Sequence, residues 1–83
     1  MDKEKLGVLS HKIEDHHYVV SIKWKDGKES EHHFPEKGFS VVDPVTGEKV
    51  GSGFIKGKDA LRILEENSSN MNEEDFSWTN FVN

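Results

Sequence analysis

Residues 18–25 carry the strongest local pattern in the chain: Tyr18, Val20, Ile22 and Trp24 are large and apolar, while Ser21, Lys23 and Lys25 alternate with them. A period of two turns one side of the backbone to a core and the other to solvent, the pattern of a half-buried β-strand. Asp26-Gly27 supplies the turn that follows, and two loop lengths compete for the register of residues 28–34. A two-residue loop would set Trp24 against Glu29 and Ile22 against Glu31. A three-residue loop, with Gly27 in the left-handed position of a bulge, pairs Trp24 with Lys28, Ile22 with Ser30, Val20 with His32 and Tyr18 with Phe34. It also sets Lys23 against Glu29 on the outer face. The second register is predicted, because it keeps carboxylates off the apolar face and places opposite charges across the strands.

Residues 6–13 read as a weaker strand, with Leu9 and Ile13 on one face, Leu6 and Val8 on the other, and Glu14-Asp15-His16 as its turn. After Pro35 and Gly38, Phe39-Ser40-Val41-Val42 is extended. Asp43-Pro44-Val45-Thr46-Gly47 then forms a turn with an acceptor side chain at its start, a proline that fixes φ and a glycine able to take positive φ. Glu48-Lys49-Val50 returns as a further strand, which Gly51-Ser52-Gly53 is expected to break before Phe54 and Ile55. Residues 58–67 form the one helix, with Ala60, Leu61, Ile63 and Leu64 inside an arc of about 160°. Asp59 suits its positive end and Arg62 can reach Glu66, but Glu65 and Glu66 oppose the dipole at the other end. The helix is expected to fray into Asn67-Ser68-Ser69-Asn70, a linker by composition.

These elements predict an α+β fold: a small twisted antiparallel sheet of four to five strands, one packed helix, and a short C-terminal acidic aromatic segment. The organisation expected is a sheet-plus-helix domain over residues 1–70, followed by the segment 71–83. At 83 residues the chain is close to the size at which a single core supplies only about 3–5 kcal/mol of net stability, too little for a deep, water-excluding active site. It has no cysteine, so thiolate nucleophiles, disulfides and cysteine-based zinc sites are excluded. No charged-then-apolar leader follows Met1, and no apolar run approaches the roughly 20 residues that cross a bilayer. A soluble, unprocessed, cytoplasmic protein with no membrane partner is the expectation.

Charge changes the picture at the C-terminal end. Residues 1–58 carry ten lysines and ten acids, whereas residues 59–83 carry one arginine against six acids, so all of the net −5 lies there. Within that stretch Glu73, Glu74 and Asp75 run directly into Phe76, Trp78 and Phe81. If Asn72 caps a helix, Met71, Trp78, Phe81 and Val82 gather within about 100° and Phe76 falls outside. If the segment is extended, Phe76, Trp78 and Val82 share a face. Tryptophan is enriched at binding hot spots, and flanking carboxylates speed encounter with a basic partner. The competing reading is that a domain short of core folds Trp78 and Phe81 back onto its own sheet. Self-association through the segment, giving a homo-oligomer, is a third.

Other constellations carry less. His17 and His33 lie diagonally on one outer face in the chosen register, with Asp15 or Glu31 nearby. Adjacent histidines on a strand point to opposite faces, however, and a solvated strand edge is the ordinary reading, so no metal or other cofactor is assigned. Gly53-Phe54-Ile55-Lys56-Gly57-Lys58-Asp59 has three residues between its outer glycines where a phosphate-binding loop needs four, and a carboxylate where that loop places a hydroxyl. Ser10-His11 and Ser21 with His17 or His32 offer nucleophile and base, but nothing in the spacing brings an orienting group or an oxyanion hole to them. No catalytic residue is assigned.

Nucleic-acid binding would use Lys23, Lys25, Lys28, Lys37, Lys49, Lys56 and Lys58, with Trp24 or Phe34 stacking on bases if exposed. Against it stand the single arginine, the interleaved carboxylates and the core's need of those rings. Conversely, the acidic helix end and tail can imitate phosphates in the groove of a DNA-binding protein. The sequence therefore points to a non-enzymatic protein-binding module, a regulator or inhibitor of the kind phage and plasmid accessory proteins supply. Glu73, Glu74, Asp75, Phe76, Trp78 and Phe81 would dock in a basic or apolar groove of another protein. A single-stranded nucleic-acid binder using the lysine-bearing sheet is the alternative.

Overall fold

Gly27 at φ +89 closes a three-residue loop, with the Trp24 amide donating to the Lys28 carbonyl and the Gly27 amide to the Trp24 carbonyl, each at 2.8 Å. The hairpin it joins, β2 (His17–Lys23) and β3 (Glu29–Pro35), pairs Tyr18 with Phe34, Val20 with His32, Ile22 with Ser30 and Lys23 with Glu29. That is the predicted register, and it buries Tyr18, Val20, Ile22 and Trp24 together. Trp24 is 0% exposed, and its indole Nε1–H donates to Ser30 Oγ at 2.8 Å, so the one polar atom of the largest core side chain is satisfied. The computed structural model describes residues 5–82, apart from the side chain of Ser52.

Strand β1 (Gly7–Glu14) adds to β2 through a two-residue loop whose central residues, Asp15 and His16, both have positive φ, as a primed hairpin turn requires. Its faces differ from those expected. A register shift between Val8 and Ser10 makes Leu9 a bulge, so Val8 opposes Ile22 while Ile13 opposes Tyr18. One extra residue inverts the alternation, and Val8 and Ile13 end on the same face. Val8 packs against the core, and Ile13 lies at the sheet's rim, 52% exposed. Val19, on the opposite face of β2, is also buried; it is flanked across the two ladders by Lys12 and His33.

The α+β class stands, but the strands do not form one sheet. β1, β2 and β3 make a three-stranded sheet, and β4 (Phe39–Val42) with β5 (Lys49–Ile55) makes a separate two-stranded antiparallel ribbon. The division begins after Pro35, where the Gly38 amide donates to the Pro35 carbonyl in a tight turn. That reversal brings Phe39 against Phe34, ring centroids 5.9 Å apart, and Val41 and Ile55 join the core cluster formed by the hairpin. The ribbon thus packs on the core rather than extending the sheet edge. Nor does Gly51-Ser52-Gly53 end a strand: β5 runs through it, with Gly51 and Gly53 at positive φ absorbing a register shift opposite Val41.

Helix α1 (Gly57–Asn67) sets Ala60 and Leu64, both fully buried, into the core. Gly57 is required by packing: a Cβ there would overlap the carbonyl oxygen of Glu36, so the helix starts directly on the turn after β3. Arg62 pairs with Asp59 at 3.4 Å instead of with Glu66. The polar quartet that ends the helix is ordered by hydrogen bonds. Ser68 is fully buried and donates from Oγ to the Leu64 carbonyl at 2.6 Å, and the Asn67 amide side chain donates to the Ile63 carbonyl at 2.8 Å. These side chains add second donors to carbonyls the helix already uses, while Asn70 takes two that the helix end leaves without partners, its side chain donating to the Glu66 carbonyl at 3.2 Å and its backbone amide to the Asn67 carbonyl at 2.9 Å.

Candidate functional site

The segment after α1 is neither one helix nor a strand. It forms two short 3-10 turns, Glu73–Asp75 and Trp78–Phe81, separated by extended residues at Phe76 and Ser77. Asn72 precedes the first turn but caps it only through its backbone, the Asp75 amide donating to the Asn72 carbonyl at 3.0 Å. Ser77 caps the second: its Oγ accepts from the Thr79 amide at 3.3 Å and lies 2.7 Å from the Thr79 hydroxyl. A side-chain cap in mid-segment starts a new turn, so a continuous helix through residues 72–82 is interrupted there.

Between these turns the aromatic side chains lie on the domain's own core. Phe76 stands 5.5 Å from Trp24, and Trp78 meets Phe34 at 6.1 Å and Phe39 at 5.1 Å, both edge-on. Phe76 and Trp78 contact each other edge to face at 4.9 Å, and Phe81 stacks on Phe76 at 5.5 Å. Each such pair contributes about 0.5–1.5 kcal/mol beyond the apolar area it buries. Phe76, the residue a single helix would leave outside, is the centre of the cluster. The backbone is tied down as well, the Lys25 amide donating to the Met71 carbonyl at 3.1 Å.

Glu73, Glu74 and Asp75 project from this anchored segment and are exposed, whereas Phe76, Trp78 and Phe81 are half-buried. One of the three acids also reaches inward: Glu73 Oε2 is 3.5 Å from His32 Nε2. That separation is an ion-pair distance, and His32 Nε2 is buried without a hydrogen bond. Burial pushes the imidazole below its usual 6.5, the charge of Glu73 opposes that shift, and the neighbouring His33 adds slightly to it.

The remaining candidate groups are dispersed. His17 Nδ1 lies 2.9 Å from the Asp15 carbonyl and His33 Nε2 lies 2.8 Å from Glu31 Oε1, so each ring is engaged by its own neighbour. Among the described residues no three His, Asp or Glu side chains are placed to hold a metal ion. Trp24 and Phe34 are buried and present no face on which a base could stack. No helix among the described residues is long and apolar enough to cross a membrane.

What sequence reasoning missed is that His32 faces Glu73. The signal was present in part, since the predicted register already placed His32 opposite Val20 on the apolar face. The chain matches no protein-family model, no curated protein and no solved structure, so any function must be read from the residues themselves.

Proposed function

We propose that this protein is a non-enzymatic binding module, a regulator or inhibitor that docks on a basic surface of another protein. Glu73, Glu74 and Asp75 are the contact charges, and the half-exposed Trp78 and Phe81 supply apolar area beside them. The observation that carries this reading is the mounting of the acids. Three successive exposed carboxylates sit on a turn held from behind by Phe76 against Trp24, at 5.5 Å. A fixed display of like charge loses little conformational freedom on binding and steers a complementary surface to it. The spaced carboxylates also suit a groove that otherwise takes phosphates, so a nucleic-acid-binding protein is one class of partner. A cytoplasmic setting is the simplest one for a chain without cysteine. The nucleic-acid-binding alternative is less well supported, because the rings it would stack on are buried.

The test is a triple variant, E73Q/E74Q/D75N, which removes charge and keeps shape. Full-length protein should capture a partner from extracts of its source cells in a salt-sensitive manner, and the variant, folded to the same spectrum, should not. Equal capture by both proteins sinks the proposal. Deleting residues 71–83 is a poor test, since it strips Phe76 and Trp78 from the core.

A further inference from the structure

We propose that the cleft between the end of β3 and the start of α1 binds a phosphate-bearing small molecule of about pyrophosphate or phosphomonoester size. The cleft measures about 330 Å³ and is lined by Tyr18, Glu36, Lys37, Lys56 and Lys58. That volume lies at the small end of ligand pockets. Three lysines face one carboxylate, and none of Lys37, Lys56 and Lys58 has an ion-pair partner among the described residues. Lysines left uncompensated round a concavity concentrate positive potential there, and as compact point charges they suit a multiply charged anion.

Two further features converge on the same cleft. Helix α1 begins there, with Lys56 at its N-cap and no side chain accepting from its first amides. The amides of an open helix start, at the positive end of the dipole, favour an anion. Asp59, which would oppose one, is engaged by Arg62 at 3.4 Å. The second feature is Tyr18, only 6% exposed, its ring against Phe34 at 5.5 Å and its hydroxyl without a hydrogen-bond partner among the described residues. The ring is buried, but the hydroxyl oxygen is not fully buried and opens to the cleft that Tyr18 lines. At the cleft wall that hydroxyl is a free donor for a phosphate oxygen.

The cleft is also pre-formed. Gly57 packs on the Glu36 carbonyl, which fixes the helix start against the turn bearing Glu36 and Lys37. Its glycine spacing still fails the phosphate-binding-loop pattern, so the site rests on a helix start, three lysines and a phenol. A nucleic-acid strand fits less well, because it needs a stacking platform, and Trp24 and Phe34 are buried.

The experiment is a titration of the full-length protein with sodium pyrophosphate, followed by amide NMR at constant ionic strength, with sodium chloride as the control. Saturable shifts confined to Tyr18, Lys37 and residues 56–59 are expected. K56Q/K58Q alters two exposed side chains, so it should keep its dispersed spectrum while weakening binding about tenfold or more. Y18F should weaken it about three- to tenfold, and E36Q should strengthen it severalfold. E73Q/E74Q/D75N should bind as the parent does, so loss of the docking function and loss of this site are separable. The proposal is overturned if chloride reproduces the shifts, if K56Q/K58Q binds pyrophosphate unchanged, or if the shifts spread over the surface. Tighter binding of an oligothymidylate at the same residues would overturn the small-molecule assignment in favour of nucleic acid.

Discussion

His32 Nε2 and Glu73 Oε2 lie 3.5 Å apart, joining the middle of β3 to the acidic turn that follows α1. Because burial lowers the His32 pKa below 6.5 in the folded protein, the unfolded chain takes up its proton first. The stability that comes from a neutral His32 is complete above 6.5 and is lost as pH falls through the lowered value. Urea unfolding between about pH 5 and 8 should therefore show stability declining on the acid side. H32Q should flatten that slope. E73Q removes the charge that opposes the shift, so the decline should begin at the same pH but extend to lower pH and be larger in total; NMR titration of the ring reads the lowered folded-state value directly.

Trp78→Ala should destabilise the fold by about 2–4 kcal/mol, since it removes edge contacts to Phe34, Phe39 and Phe76 from a half-buried site. Phe76→Ala should cost a similar amount. Chemical denaturation monitored by tryptophan fluorescence measures both, from Trp24 alone in the first variant and from Trp24 with Trp78 in the second. A change below about 0.5 kcal/mol, the range typical of surface substitutions, would mean that the tail does not support the core.

The Trp24 indole depends on a single acceptor, Ser30 Oγ at 2.8 Å. Ser30→Ala leaves that buried N–H unpaired and should cost about 1–3 kcal/mol. Ser30→Thr keeps an acceptor and should recover most of the loss, as read by the urea midpoint.

At Gly57 helix propensity and packing give opposite signs. Alanine is the better helix former, by about 1 kcal/mol in a helix interior and by less at this first position. Its Cβ would nevertheless overlap the Glu36 carbonyl oxygen, so Gly57→Ala should destabilise by about 1–3 kcal/mol. A rise in thermal midpoint would show that α1 and the turn can move apart without cost.

Much of this fold was legible where one rule acted alone. The alternation from Tyr18 to Trp24, together with Asp26-Gly27, was enough to predict the β2–β3 register, and the helix was misplaced by one residue at its start. Legibility failed where a single residue changes phase or direction. The bulge at Leu9 moved Ile13 to the face of Val8, and nothing in the apolar pattern of residues 39–42 distinguishes an added sheet strand from a ribbon packed over the core. The tail was read correctly as aromatic and acidic, but its partner surface, Trp24 with Phe34 and Phe39, comes from remote parts of the chain. Local spacing carries no information about such a pairing. The lysine cleft was hidden for the same reason, since Tyr18, Lys37 and Lys56 come together only through tertiary packing.

The contact between Trp24 and Phe76 also sets an order on biosynthesis. Trp24 leaves the ribosome before Phe76, the tail ring packed on it, which follows only after both sheets and α1 have been made. A nascent chain emerged only as far as α1 therefore presents an uncovered aromatic surface, the kind of site that holdase chaperones recognise, and it becomes self-sufficient only when the last turns arrive.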